Sequence, residues 1–217
     1  MRDIMDSVDE FHIHYEKNKM WANSKFMGVP MWKLPFDAMV IQELIYKVKP
    51  DLIIETGTGH GGSALFYASI CELMGQGYVI TIDIDDNKRN SNNWGKFEWK
   101  DRITFLTGSS IDEDILYNIQ MENVHSKRTM VLLDSWHTKD HVLKELELYS
   151  PLVTIGSYLI VEDTHANGHP VPWEYTNEGP YEAVDEFLTG NDNFAIDTYC
   201  EKYLMTFNPN GFLRRIQ

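Results

Sequence analysis

Two short stretches run an apolar strand straight into acids and an imidazole: VLLDSWHT, Val131 to Thr138, and YLIVEDTH, Tyr158 to His165. Asp134, His137, Glu162 and Asp163 therefore stand where buried strands stop, and in α/β proteins ligands collect at the carboxyl ends of parallel strands. Consecutive parallel strands joined by right-handed crossovers are usually neighbours, which puts Asp134 and the Glu162–Asp163 pair on one edge. Three carboxylates in a cleft repel unless something cationic binds them. All-oxygen ligation of this kind suits Mg²⁺, or Mn²⁺ in its place, so Asp134, Glu162 and Asp163 are the expected metal ligands; salt bridges to a nearby Lys or Arg are the alternative. His137, three residues past Asp134, sits where a general base would reach a substrate held at the metal. Its plainer reading is a residue at the start of the helical stretch KDHVLKELELY.

A third stretch, IIETGTGHGGS from Ile53 to Ser63, sets glycines at a strand-to-helix turn, where missing Cβ atoms admit a ligand to the backbone and a helix N-terminus faces it. The spacing suits a dinucleotide, a methyl donor or tight helix packing alone. Glu55 favours the methyl donor, because an acid at the end of the first strand complements the cationic amino-acid moiety of S-adenosylmethionine and not a pyrophosphate. Glu55, Gly57, Gly59 and Ser63 are the candidate contacts there. In TIDIDD, Thr81 to Asp86, the acid ending the second strand is in place for ribose hydroxyls, with Asp83 the first choice and Asp85 the second. Ser109 and Ser110 in TGSSID either lie against the adenine or cap a helix. Asp134, on the same edge, is a candidate cofactor contact and a catalytic residue as well as a metal ligand.

These positions need a frame. Strands are expected at Leu52–Glu55, Tyr78–Asp83, Ile103–Thr107, Met130–Asp134 and Gly156–Glu162, with helical segments such as Gly62–Met74 and His141–Tyr149 between them. The alternation implies an α/β fold, a doubly wound and mostly parallel sheet. A helix at Tyr181–Leu188 and two last strands at Phe194–Thr198 and Tyr203–Phe207 would bring the sheet to seven strands, with the turn NPNG beyond them. Residues 1–48, with a helix at Phe36–Val48, read as a helical cap, and residues 164–180 as a lid loop in which Trp173 and Tyr175, with Trp136, offer flat faces to a sugar or ring. His165 and His169 lie on that loop, while His12 and His14 read as surface residues.

A single domain is expected from 217 residues at 43% hydrophobic content. The net charge of -14 repels a polyphosphate backbone, which argues against nucleic acid without excluding a small phosphorylated substrate. No run approaches the roughly 18 apolar residues of a membrane span, and the N-terminus has no signal-peptide core, so a soluble, cytoplasmic protein is expected, with homo-oligomers possible. Cys71 and Cys200 read as packed thiols.

Taken together, IIETGTGHGGSALFYAS, ITIDID, LTGSSID, LLDSWHTKDHVLKELELYSPLVTIGSYLIVEDT, GPYEAVDEFL and NGFLRRI make the chain, from about Trp32 to Arg215, resemble the cephalosporin hydroxylase and rhamnosyl O-methyltransferase group. The resemblance implies a Rossmann-like, class I methyltransferase fold, a metal on Asp134, Glu162 and Asp163, His137 as base, and cofactor contacts at Glu55, Gly57 and Asp83. It further implies metal-assisted transfer of a methyl group from S-adenosylmethionine to a hydroxyl of a sugar or glycosylated small molecule, in carbohydrate or natural-product modification. Two rivals are expected to fit less well. One is a hydroxylase with Fe(II) on Asp134 and two of His137, His165 and His169; the other is a non-catalytic cofactor-binding subunit.

Overall fold

The computed structural model describes residues 4–90, 96–172 and 178–217. In chain order it contains α1 (Ile4–Lys17), a short hairpin of β1 (Lys25–Phe26) and β2 (Val29–Pro30), α2 (Pro35–Val48), β3 (Leu52–Thr56), α3 (Gly62–Met74) and β4 (Tyr78–Asp83). There follow α4 (Asn87–Asn90), β5 (Ile103–Thr107), α5 (Glu113–Asn123), β6 (Thr129–Leu133), α6 (Lys139–Tyr149), β7 (Tyr158–Val161), α7 (Pro180–Thr189), β8 (Phe194–Ile196) and β9 (Phe212–Arg215).

The seven-stranded sheet runs β5-β4-β3-β6-β7-β9-β8. Its first five strands are parallel, and β9, inserted between β7 and β8, pairs antiparallel with both. The chain winds outward from β3 to β5 and then returns to the other side of β3 with β6. This reversal leaves a crevice at the carboxyl edge between β3 and β6, the place where such sheets bind ligands.

β3 is buried along its whole length, as expected of a strand covered by helices on both faces. Its residues alternate: Leu52 and Ile54 pack with Val131, Leu146 and Val184 on the face of α5, α6 and α7, and Ile53 packs with Ile41, Ile45, Tyr67 and Ala68 on the face of α2 and α3. Cys71 and Cys200 are buried free thiols.

Two expectations about elements are corrected. Tyr203–Phe207 is not a strand; Met205 and Phe207 instead close a small core with Leu34, against Val8, Tyr15 and Trp21. The last strand is Phe212–Arg215, so the turn at Asn208–Gly211 leads into it. Nor is His12 at the surface: it is buried on α1, with its ring stacked on Phe207 at 5.3 Å. The segment before the sheet reaches α3 through Gly62, where a Cβ would lie 2.2 Å from the Pro30 carbonyl oxygen.

Candidate active site

At the carboxyl edge the strand ends are stitched tightly together. The Gly57 N–H donates to the Ile82 carbonyl (2.8 Å) and the Asp134 N–H to the Thr56 carbonyl (3.1 Å), joining the ends of β4, β3 and β6. Gly57 has φ +85°, and a Cβ there would stand 1.8 Å from the Asp134 carbonyl oxygen. The glycine is thus required by the close approach of two strand ends, whatever it does for a ligand.

Above this edge lies a cavity of about 1080 Å³, lined by Gly57, Gly59, Ser63, Asp83, Ser109, Ser110, Asp134, His137 and Asp163 among others. These nine are residues expected from the sequence. The Gly59 N–H donates to Asp83 Oδ2 (2.7 Å), so the acid after β4 and the glycine turn after β3 form one wall. The N-terminal segment adds a further wall beside the glycine turn, where Trp32 meets His60 edge-on at 4.9 Å and Trp21 at 5.4 Å. Lys88 lies 5.0 Å over the Trp32 ring. Ser110 and Ser135 both approach Nε2 of His141, at 3.2 and 3.0 Å.

Glu162 and Asp163 part company although adjacent. Asp163 takes a left-handed backbone, φ +60°, a conformation tolerated by Asp better than by most residues. The Asn208 side chain accepts the Asp163 N–H at 3.2 Å and holds the turn. Asp163 consequently reaches the cavity, where Oδ2 stands 3.3 Å from His137 Nε2. Asp134, His137 and Asp163 each offer a ligand atom, and these atoms lie within 4.8 Å of one another. Glu162 turns inward and is buried, with Oε1 2.8 Å from Nζ of Lys33; Lys33 also donates to Asp134 Oδ2 at 2.9 Å.

Burial pushes the carboxyls of Asp134 and Glu162 above their usual range, and Lys33 opposes that rise only in part. For Lys33 itself burial acts downward, but Asp134 and Glu162 outweigh it and hold the ammonium well above the ordinary lysine value. Glu55, wholly buried behind the cavity floor, accepts a hydrogen bond from Thr81 Oγ1 (2.7 Å) and is pushed up to about 7 by burial, again against Lys33. Glu55, Asp134 and Glu162 all act on the one lysine, and Asp163 stands beside Asp134, so the cluster is short of positive charge. A divalent cation fits that deficit: carboxylate oxygens suit Mg²⁺ or Mn²⁺, and Asp134 and Asp163 are already gathered, with His137 beside them.

Other expected residues stand elsewhere. His165 is buried with Nδ1 2.9 Å from the Phe207 carbonyl oxygen, and its ring is stacked on Phe207. His169 stacks on Tyr181 at 3.7 Å and meets Glu182 at 3.1 Å. Neither joins Asp134, so among the described residues no two-histidine, one-carboxylate iron site is assembled. Trp136 is exposed at the cavity rim, whereas Trp173 and Tyr175 lie outside the described residues. Sequence reasoning missed Lys33, whose one signal is a charge lodged between apolar neighbours in MWKLP, and His141, signalled by its spacing of four from Glu145.

Residues 18–216 match the family model described as Rhamnosyl O-methyltransferase/CmcI. The chain is 35% identical over 220 residues to the rhamnosyl O-methyltransferase of Mycobacterium tuberculosis, covering 96% of this chain and 84% of that protein. It is 34% identical over 215 residues to the one from Mycobacterium leprae, covering 97% and 91%. Among solved structures, CmcI without ligand superposes with a TM-score of 0.69 at 22% identity, over 90% of this chain and 77% of that one. CmcI with Mg and SAM gives 0.66 at 21% identity, over 90% and 78%. These likenesses establish the fold.

Proposed function

The chain belongs to the rhamnosyl O-methyltransferase/CmcI family, and on that premise we propose that it transfers a methyl group from S-adenosylmethionine to a hydroxyl of a sugar or sugar-bearing small molecule. The observation that carries this reading is the meeting of Asp134, His137 and Asp163 in one cavity with the glycine turn and Asp83. When bound, S-adenosylmethionine supplies the methyl group, and Mg²⁺ or Mn²⁺ supplies charge that stabilises the alkoxide as it develops.

The residues divide the remaining work. Asp134 and Asp163, with Glu162 behind them, would hold the cation. Gly57, Gly59, Ser63 and Asp83, with Ser109 and Ser110 beyond, line the cofactor's side, and the Asp83 carboxylate is held in place by the Gly59 N–H. His137 takes the acceptor's hydroxyl proton on its imidazole, and Asp163, 3.3 Å away, orients the ring. Trp21, Trp32 and Trp136 give the cavity apolar faces against which a sugar ring can lie while water is excluded, so that alignment contributes much of the rate.

The test is to incubate the protein with S-adenosylmethionine and rhamnosyl or related glycosyl acceptors, with and without EDTA, and to follow S-adenosylhomocysteine. Turnover that needs an acceptor and stops with EDTA supports the proposal. Product formation undiminished by EDTA would remove the cation from it, and dioxygen consumption in place of methyl transfer would favour the hydroxylase reading.

A further inference from the structure

Lys33 is supplied by the segment before α2, outside the sheet, yet its ammonium ends between the two strand-end acids. It is buried, 2.9 Å from Asp134 Oδ2 and 2.8 Å from Glu162 Oε1, and Glu162 is itself only 4% exposed. The contact to Asp134 is a directed hydrogen bond. Glu162 Oε1 takes the same ammonium at ion-pair distance. One buried ammonium is thus the charge partner of both buried carboxylates.

We propose that Lys33 is a tethered counter-ion, which neutralises Asp134 and Glu162 in the metal-free protein and competes with the divalent cation for their oxygens. The proposal rests on the reading of this cluster as a metal centre. The physical reason for the competition is placement. A magnesium ion sits about 2.0–2.1 Å from its oxygen ligands. An ion on Asp134 Oδ2 and Glu162 Oε1 would therefore crowd an ammonium that already approaches both within 3 Å. Two positive centres so close, with little water between them, repel strongly. Lys33 must withdraw from at least one oxygen as the metal arrives. The lysine thereby allows the two buried acids to fold without metal and weakens metal binding in exchange.

The test measures Mn²⁺ binding by calorimetry to the full chain and to Lys33→Met, together with melting in EDTA and in Mn²⁺. The variant should bind Mn²⁺ about tenfold tighter or more, since it no longer displaces an ammonium. It should also melt lower than the unaltered protein in EDTA and regain stability with Mn²⁺. Equal or weaker affinity in Lys33→Met, with the unaltered protein binding normally, would overturn the competition and leave the metal centre standing. No binding by either protein would overturn both.

Should Lys33→Met fail to fold, the unaltered protein decides the question by lysine ¹⁵Nζ resonance spectroscopy, with Lys33→Arg used for assignment. The buried ammonium should give a slowly exchanging signal that shifts, or begins to exchange, as Mg²⁺ is added. A Lys33 signal that is missing, or unmoved at saturating Mg²⁺, would refute the proposal.

Discussion

At Glu55 a carboxyl group is sealed beneath the cavity, and burial pushes it from 4.5 up to about 7. Between those values the folded chain holds a proton that the unfolded chain has released. The stability from this group is therefore whole below about pH 4.5 and lost as pH rises through about 7, a span worth at most about 3 kcal/mol. Glu55→Gln cannot take part in that loss. Without ligands, its melting temperature relative to the unaltered protein should climb by roughly 5 °C between pH 5 and pH 8; a difference independent of pH would refute the assignment. His137 stands between two roles, because its imidazole is near both Asp134 and Asp163. For a base, His137→Ala should lower kcat by about a hundredfold or more while Mn²⁺ affinity stays within a factor of about three. Affinity falling in parallel with kcat would make it a ligand instead. Asp134, His137 and Asp163 were legible in the sequence because they follow strands whose apolar runs announce them. Lys33 was not, since its neighbours are set by how a pre-sheet segment folds back over 101 positions of chain.

The elements were legible where local pattern and burial agree. The five parallel strands fall within two residues of expectation at either end, and the glycine turn lies where the sequence put it. The error at Tyr203–Phe207 has a physical origin: its Met205 and Phe207 are buried against Leu34 and the N-terminal segment rather than in a ladder. The true strand, Phe212–Arg215, carries two arginines, yet it buries Phe212 and Leu213 between β7 and β8. Its Arg215 donates from its guanidinium to the carbonyls of Ser150, Pro151 and Val153, so the charged end of the strand has partners for its donors. The glycine turn separates packing from ligand approach. A Cβ at Gly57 strikes the Asp134 backbone, whereas one at Gly59 meets open space. Gly57→Ala should thus cost about 3 kcal/mol or more and move Asp134, while Gly59→Ala should cost only the roughly 1–2 kcal/mol of its left-handed backbone. Urea denaturation of both variants checks this; equal losses would mean that the strand ends can part without strain.

Across the whole molecule, the fold class could be read in advance because one sheet with helices on both faces follows from alternation alone. How residues 4–34 close over its edge could not, because that depends on contacts between distant segments, and Phe207 is their junction. Its ring stacks on His12 of α1 (5.3 Å) and His165 after β7 (4.4 Å), and Tyr15 meets it edge-on at 6.0 Å. Its N–H donates to the buried Asp37 of α2 at 2.8 Å, its carbonyl accepts the His165 N–H at 3.0 Å, and the residue lines the cavity. Phe207→Ala keeps both backbone bonds and removes only the ring that α1 rests on. The loss should be about 3–5 kcal/mol, or on the order of 10 °C in melting temperature. Because the ring joins α1 to the rest while the sheet is built elsewhere, the damage should be local first. Amide exchange in Ile4–Lys17 should quicken well before that of β3 and β6, and the KM for the acceptor should rise more than kcat falls. Exchange rising equally in α1 and in the sheet would show that the N-terminal helix is part of the same cooperative unit, and that the cavity cannot open on that side alone.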